Sequence, residues 1–418
     1  MPGQDREGEE LAADLASLTR FATLMLRSGD AAFRVRQWSG RIARAMGIDG
    51  FAAHIALGTM TATARRGARE LTRVAEIAPI GVNAFRIGAL EELARSTGPG
   101  TTAGTIAARL DTIERTKPLH PLVLTAVAVG AASGAFSYLN DGGPIEILAS
   151  ALAGATGQAL RSALLGRRIN QYATTALCAI VASGLYCLII ALLGLFGLPM
   201  PAHAAGFISS ALFLVPGFPL VAALLDLLQH QTEAALTRLA YATTILLAGA
   251  FGLCTVASLA GLTAAPPPPL AESEAIRLLL RAIATALGGW GFAILYNSSW
   301  RTALTVAGLA LVGNELRLGL HDAGLALAPA TLVGAAAVGL LASIVQRRRS
   351  EPRIAHTVPG IIIMVPGTFA FQAIVLFDQG NVIGALNAAG QGAFVVGAMA
   401  LGLALARFAT EPEWLLES

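Results

Sequence analysis

Two patterns of apolar and polar residues divide the chain near residue 118. Before that position, apolar residues recur at helical spacing in four segments, and one stretch between the second and third alternates with a period of two. The alternation runs over 51–64 and, after a turn at Arg65-Arg66-Gly67, over 70–79, which predicts a β-hairpin. The helices are predicted near residues 10–27, 31–46, 82–96 and 102–116. We therefore expect residues 1–118 to form a small α+β domain.

Ten apolar segments follow this domain. Each has close to the roughly 20 residues that an α-helix needs to cross the hydrocarbon core of a bilayer. Turn-forming residues occupy the connections, for example Asn140-Asp141-Gly142-Gly143-Pro144. The chain is therefore predicted to be an α-helical polytopic membrane protein with ten transmembrane helices. The segments lie near 121–139, 145–165, 173–196, 204–227, 238–263, 276–296, 301–320, 325–345, 356–377 and 389–409.

Proline and glycine interrupt two of these segments. The fourth contains Val215-Pro216-Gly217-Phe218-Pro219, and the ninth contains Val358-Pro359-Gly360 and Val365-Pro366-Gly367. Counted in fives, both are the fourth helix of a five-helix unit. Because five is odd, the second unit would enter the membrane in the opposite orientation, which is the inverted-repeat design of many secondary transporters.

This arrangement divides the chain into five predicted parts. A cytoplasmic domain comes first, and two five-helix membrane units follow, joined by a proline-rich external linker. A short cytoplasmic tail ends the chain. The predicted boundaries are 1–118, 119–265, 266–272, 273–410 and 411–418.

The interrupted segments are the predicted substrate site. Proline removes a backbone donor, adjacent glycine lets the chain leave helical dihedral angles, and in lipid the freed backbone groups need internal partners. Amino ends of half-helices favour a carboxylate and carboxyl ends favour an ammonium group, so a zwitterionic amino acid suits both. Gly217 and Gly367 are expected to adopt backbone geometries that β-branched residues reach only with strain. The candidate substrate-binding residues are Val215, Pro216, Gly217, Pro219, Pro359, Gly360, Pro366 and Gly367.

Two carboxylates are candidates for proton coupling. Asp226 lies ten residues after Pro216, near the end of segment four, and Glu315 follows an apolar run beside Asn314. A carboxylate that alternates between dry and wet surroundings changes its affinity for a proton, which is the minimum requirement for coupling. An interfacial ion pair between Asp226 and Arg238 is an equally good interpretation of the first carboxylate.

Composition and charge agree with a membrane protein. Of the 418 residues, 55% are hydrophobic and 13% charged, against about 25% charged in soluble domains. Arginine and lysine concentrate in the N-terminal domain and in alternate connections, which places both termini in the cytoplasm. The net charge of +3 includes no basic run longer than Arg347-Arg348-Arg349, so no nucleic-acid partner is expected.

Residue types that would carry catalysis are sparse. The three cysteines are isolated within apolar stretches, so neither a metal site nor a disulfide is expected, and no cofactor is indicated. No GxxxxGK[ST] loop and no GxSxG elbow occur, which disfavours ATP-driven transport and acyl-transfer chemistry. Two alternatives stay open beside a secondary transporter: an amino-acid channel with a regulatory cytoplasmic domain, and a membrane-anchored hydrolase that acts through residues 1–118. A homo-oligomer also stays open.

Several of these stretches resemble the threonine/serine exporter family. The stretches are Leu26–Val35, Arg41–Gly47, Val215–Leu220 with Asp226 and Arg238, Gly291–Tyr296, and Val358–Gly367. The resemblance covers residues 10–410. It implies a bacterial inner-membrane exporter of threonine and serine, energised by the proton motive force, with ten membrane helices behind a cytoplasmic domain.

Overall fold

Two compact units make up the chain. The computed structural model describes residues 2–56, 58–77, 81–196, 204–262, 273–349, 351–411 and 414. The first unit consists of Met1–Leu119 with Phe218–Ala240, and the second of His120–Gly217 with Tyr241–Ser418. The predicted linker at 266–272 and most of the predicted tail at 411–418 lie outside the described residues.

The N-terminal part of the first unit combines four helices with a sheet. Its elements are α1 (Pro2–Arg27), α2 (Ala32–Ala45), β1 (Gly50–Ile55), β2 (Thr59–Arg66), β3 (Arg69–Glu76), α3 (Ala84–Arg95) and α4 (Ala103–Arg115). The four helices are those that the apolar periodicity predicted. Apolar residues of α1 at helical spacing, such as Leu11, Leu15 and Leu18, pack in one core with Met60, Ala62 and Ala64 from one face of β2.

The sheet differs from the predicted hairpin because it has three antiparallel strands, in the order β1-β2-β3. The predicted turn after Arg65 is confirmed as the β2–β3 connection, where Arg66 pairs with Arg69. The expected single strand over 51–64 is wrong, since the chain reverses between Ile55 and Thr59 and the amide of Ala56 donates to the carbonyl of Thr59 at 2.9 Å. A two-residue alternation continues through so tight a turn, so the pattern alone does not show the reversal.

The remaining helices coincide with the ten predicted apolar segments. They are α5 (Leu122–Leu139), α6 (Pro144–Gly166), α7 (Gln171–Leu195), α8 (Ala204–Ser210), α9 (Gly217–Leu228), α10 (Thr232–Ala260), α11 (Glu274–Leu295), α12 (Trp300–Asp322), α13 (Leu327–Arg349), α14 (Arg353–Ile361), α15 (Gly367–Asp378) and α16 (Val382–Thr410). In the described residues, seven helices are long and apolar enough to cross a membrane, and an eighth candidate combines α14 and α15 with a 47° bend. The chain is therefore a multi-pass helical membrane protein, and the count of ten stays a prediction.

The order of these elements repeats. In both series, three unbroken helices precede a broken helix, and a helix of 29 residues follows it. Within each broken helix, a three-residue 3-10 turn precedes a helix of 12 residues. The first series runs from α5 to α10 and the second from α11 to α16.

Candidate functional site

The two broken helices share one local structure. After α8 the chain forms a 3-10 turn at Leu212–Leu214, and after α14 it forms one at Ile362–Met364. The next residue is extended in both, with φ −65° and ψ 121° at Val215 and φ −63° and ψ 128° at Val365. Proline follows each valine, and proline disfavours the helical conformation in the residue before it. The same valine–proline step therefore ends both first halves.

The two breaks contact each other in a reciprocal way. A Cβ atom on Gly217 would lie 2.8 Å from Cγ1 of Ile362, so this close approach requires glycine. A Cβ atom on Gly367 would lie 3.7 Å from Cδ1 of Leu212, which is an ordinary van der Waals contact. The first residue of each second half thus faces the 3-10 turn of the other break.

A cavity lies beside these breaks in the second unit. Leu212, Val215 and Gly367 contribute to it from the broken helices, and Ile245 and Leu253 contribute from α10. Its lining side chains are apolar. Polar recognition at this place therefore depends on the backbone of the breaks.

Some predicted site residues do not lie at an interruption of a helix. Val358-Pro359-Gly360 is not an interruption, because Pro359 lies inside α14 and the helix continues to Ile361. One proline removes a single amide, which a helix can tolerate with a kink. Pro219 lies in the first turn of α9, where the missing amide has no intrahelical partner to lose. Neither Gly217 nor Gly367 has a positive φ, so the expected backbone strain at these glycines is wrong.

Asp226 is buried in the first unit, where it binds the start of α2. Its Oδ1 accepts a hydrogen bond from the amide of Phe33 at 3.0 Å, and its Oδ2 lies 3.8 Å from Nη2 of Arg238. Arg238 in turn donates to the carbonyls of Gly29 and Asp30, at 3.2 and 2.8 Å. The pairing with Arg238 considered from the sequence is therefore present, and both side chains hold the segment before α2.

Further buried charges, which the sequence did not single out, continue this cluster. Asp30 accepts hydrogen bonds from the amide of Ala31 at 2.9 Å and from Nε of Arg34 at 2.7 Å, and Nη2 of Arg34 donates to Glu91 at 2.6 Å. Burial lowers the pKa of the Arg34 guanidinium, but Asp30 and Glu91 outweigh that effect and raise this pKa above its usual value. The four-residue spacing between Asp30 and Arg34 is typical of an ion pair on one helix face. No sequence pattern indicates that Glu91 joins them.

One oxygen each of Asp30 and Asp226 has no hydrogen-bond partner within the part of the chain that the structure describes. Both oxygens are buried. A buried carboxylate oxygen without a hydrogen bond is uncommon in folded proteins. The carboxylates of Asp30 and Asp226 therefore each hold the start of α2 through a single oxygen, Oδ1.

Glu315 belongs to an ion-pair network in the second unit. It accepts hydrogen bonds from Nε of Arg281 at 2.8 Å and from Oγ1 of Thr285 at 3.2 Å. Arg281 also pairs with Asp322 at 2.7 Å. Over the described ranges, no group of three or more His, Cys, Asp or Glu side chains is placed to hold a metal ion.

Broken helices that meet beside an apolar cavity in a multi-pass helical protein are typical of membrane transporters. Residues 17–260 match the family model described as "Putative threonine/serine exporter", and residues 281–409 match the one described as "Threonine/Serine exporter, ThrE". The chain belongs to the threonine/serine exporter family, which confirms the resemblance found in the sequence.

Two curated relatives carry a different substrate in their name. The "Probable succinate transporter subunit YjjP" of Escherichia coli (strain K12) is 26% identical over 239 residues, which are 57% of this chain and 91% of that protein. The protein of the same name from Klebsiella aerogenes is 26% identical over 243 residues, or 58% of this chain and 92% of its own. No solved structure matches this chain.

Proposed function

We propose that this protein is a secondary transporter of the bacterial inner membrane that exports small neutral amino acids, threonine and serine in particular, by alternating access. The observation that carries the proposal is the reciprocal contact of Gly217 with Ile362 and of Gly367 with Leu212. Because the two breaks are equivalent and touch each other, the two helical series can pack against each other in two related arrangements. Exchange between such packings opens a central site to one side of the membrane at a time.

The proposed topology has ten transmembrane helices in two inverted five-helix repeats. The first unit supports it, because the connection between α9 and α10 packs with the N-terminal helices through Asp226 and Arg238. With the N-terminal domain in the cytoplasm, this connection lies on the cytoplasmic side. An N-terminal domain before ten spans places both termini on that side.

The substrate is proposed to bind at the breaks, between Val215-Pro216-Gly217 and Val365-Pro366-Gly367. The amide groups that start α9 and α15 suit its carboxylate. The apolar cavity suits a small side chain. Proton antiport through Asp226, with Glu315 as the second candidate, would drive export.

A small dicarboxylate is the second candidate substrate. The name of the two curated relatives, probable succinate transporter subunit, favours it. A succinate ion shares with serine the carboxylate that the half-helix amides would bind, and it lacks the ammonium group. Transport assays therefore have to compare both compounds.

Flux into inverted proteoliposomes tests the proposal. Purified full-length protein would take up labelled serine, threonine or succinate, with and without an imposed pH gradient. We expect accumulation of serine and threonine above equilibrium when the gradient is present. Equilibration of the labelled compound at a rate and extent independent of the pH gradient would indicate a channel. Accumulation of succinate alone would show that the substrate is a dicarboxylate and not serine or threonine. Absence of flux for all three compounds, together with release of a hydrolysis product, would indicate the hydrolase.

A further inference from the structure

A five-residue motif occurs once in each helical series. It reads Gly157-Gln158-Ala159-Leu160-Arg161 in α6 and Gly313-Asn314-Glu315-Leu316-Arg317 in α12. Both helices have 23 residues, and each arginine lies five residues before the last one. Every residue of the second copy follows its counterpart by 156 positions. The motif therefore occupies the same place in the second helix of both series.

The glycines of the two copies have equivalent surroundings. A Cβ atom on Gly157 would lie 3.0 Å from Cβ of Ala182 in α7 and 2.7 Å from the ring of Phe213. On Gly313 it would clash with Val338 of α13 and lie 3.0 Å from Cε of Met364. Ala182 and Val338 are again 156 positions apart, while Phe213 and Met364 belong to the two 3-10 turns. Each motif glycine thus packs against the third helix and the break of its own series.

The arginine of each copy lies one helical turn beyond this contact, on the same face of the helix. Nη1 of Arg317 donates to Oδ1 of Asn314 at 3.0 Å, and its Nε donates to Oγ1 of Thr331 at 3.1 Å. Both partners are neutral. Arg161 interacts electrostatically with two tyrosines and a cysteine, Tyr296, Tyr241 and Cys178.

These two guanidinium groups lack a counter-charge. Among the residues that the structure describes, no carboxylate oxygen lies within 4.0 Å of Arg161 or Arg317. Two other arginines of this unit do have carboxylate partners, since Arg281 binds Glu315 and Asp322, and Arg353 binds Glu411. In addition, the buried Oε1 of Gln158 in the first motif has no hydrogen-bond partner over the same residues.

Attraction to the carboxyl end of the helix is too weak an explanation for both arginines. That attraction is limited to the last turn of a helix, and Arg161 and Arg317 both precede the last turn of their helices. An uncompensated charge in a membrane helix is costly and typically functional. A ligand with a carboxylate would supply the missing charge.

We propose that Arg161 and Arg317 form two equivalent carboxylate-binding sites for the transported substrate, one in each helical series. The proposal rests on the proposed transport function. In an inverted repeat, α6 and α12 cross the membrane in opposite directions, so equivalent residues lie towards opposite faces. Arg161 then binds the carboxylate near the cytoplasmic face and Arg317 near the external face.

Variants of both arginines test this in the full-length protein. We expect Arg161→Gln to raise the half-saturating concentration of serine on the cytoplasmic side at least tenfold, and Arg317→Gln to do so on the external side. The lysine variants should recover part of the loss. Arg167→Gln and Arg301→Gln are matched controls, because these arginines are exposed at ends of the same two helices, and they should behave as the wild type.

A second measurement needs no variant. Serinamide lacks the carboxylate of serine, so it should fail to compete with serine or with succinate for the wild-type protein. Equal competition by serinamide, or unchanged half-saturation in both glutamine variants, would overturn the two sites while transport itself stands.

A thermal-shift assay separates this outcome from failure of the transport proposal. Saturating serine or succinate should raise the melting temperature of the wild type, and this increase should be clearly smaller in the double variant R161Q/R317Q, in which only the site at the breaks is left. If the wild type moves neither compound but shows an increase that is clearly smaller in the double variant, the sites stand and the transport proposal fails. An increase that the double variant keeps in full would overturn the sites.

Discussion

At the scale of single residues, the two glycines of the breaks differ although their sequence context is the same. Both follow Val-Pro, and both begin a helix of 12 residues. Gly217 is needed because Ile362 approaches within a distance that excludes a Cβ atom, whereas the space at Gly367 admits one. The constraint is therefore steric and acts at one of the two positions.

We expect Gly217→Ala to slow serine flux about tenfold. The added methyl group overpacks the contact between the breaks, which destabilises that contact by roughly 1–3 kcal/mol. Gly367→Ala is the matched control and should stay close to the wild-type rate. Adding Ile362→Ala to Gly217→Ala makes room for the new methyl group and should restore much of the flux. Rates in proteoliposomes, corrected for protein amount, measure this. A Gly367→Ala defect as large as that of Gly217→Ala would contradict the steric argument.

Asp226 allows a separate test of proton coupling. In Asp226→Asn the Oδ1 atom still accepts the hydrogen bond from Phe33, so α2 keeps this contact while the charge is lost. We expect exchange of labelled for unlabelled serine to persist and accumulation driven by a pH gradient to disappear. Glu315→Gln is the comparison variant. Gradient-driven accumulation that survives in Asp226→Asn would move the coupling role to another residue.

At the scale of elements, local sequence patterns predicted those helices and turns whose formation depends on residues close together in the sequence. The helices around the ten apolar segments and the break at Pro216 followed from hydropathy and proline chemistry. The third strand was missed because a tight turn conserves the two-residue alternation. The sequence predicts a further break at Pro359, which is wrong, because sequence alone does not separate a tolerated proline from a helix end. Glu91 joins its cluster only through folding, so nothing near it in the sequence marked it.

Equivalent connections of the two series provide a direct test of inversion. Ile169 follows α6 and Leu325 follows α12, 156 positions later, and their side chains are 41% and 39% exposed. The native cysteines, Cys178, Cys187 and Cys254, would first be replaced by alanine. Ile169→Cys should then react with a membrane-impermeant maleimide only from the cytoplasmic side, and Leu325→Cys only from outside. Labelling of both from the same side is the result that would remove the inverted repeat.

At the scale of the whole molecule, the chain is longer than the two curated relatives that it matches. A protein named as a transporter subunit matches only 57% of this chain over 91% of its own length. A second family model begins at residue 281, after the first has ended at residue 260. The first matched part therefore covers the N-terminal elements and the first helical series, and the second covers most of the second series. The contact of Gly217 with Ile362 joins the two series.

Two separate chains should therefore reconstitute the transporter. We expect co-expressed fragments 1–262 and 273–418 to co-purify and to carry serine flux, because the break contacts need both parts but no covalent connection. Each fragment alone should show no flux, and the intact chain is the reference. Failure of the fragments to associate, although each is inserted in the membrane, would show that the connection between them is required.

The first unit also has a consequence for the order of synthesis. Its core includes Ala234, and the segment before α2 depends on Arg238, yet both residues are made more than a hundred positions after Leu119. At about 5–20 residues per second, a ribosome needs on the order of ten seconds to cover that distance. During this interval the carbonyl groups of Gly29 and Asp30 have no arginine to bind, and four apolar segments leave the ribosome first. The N-terminal domain can therefore complete its core only after the first broken helix has been synthesised.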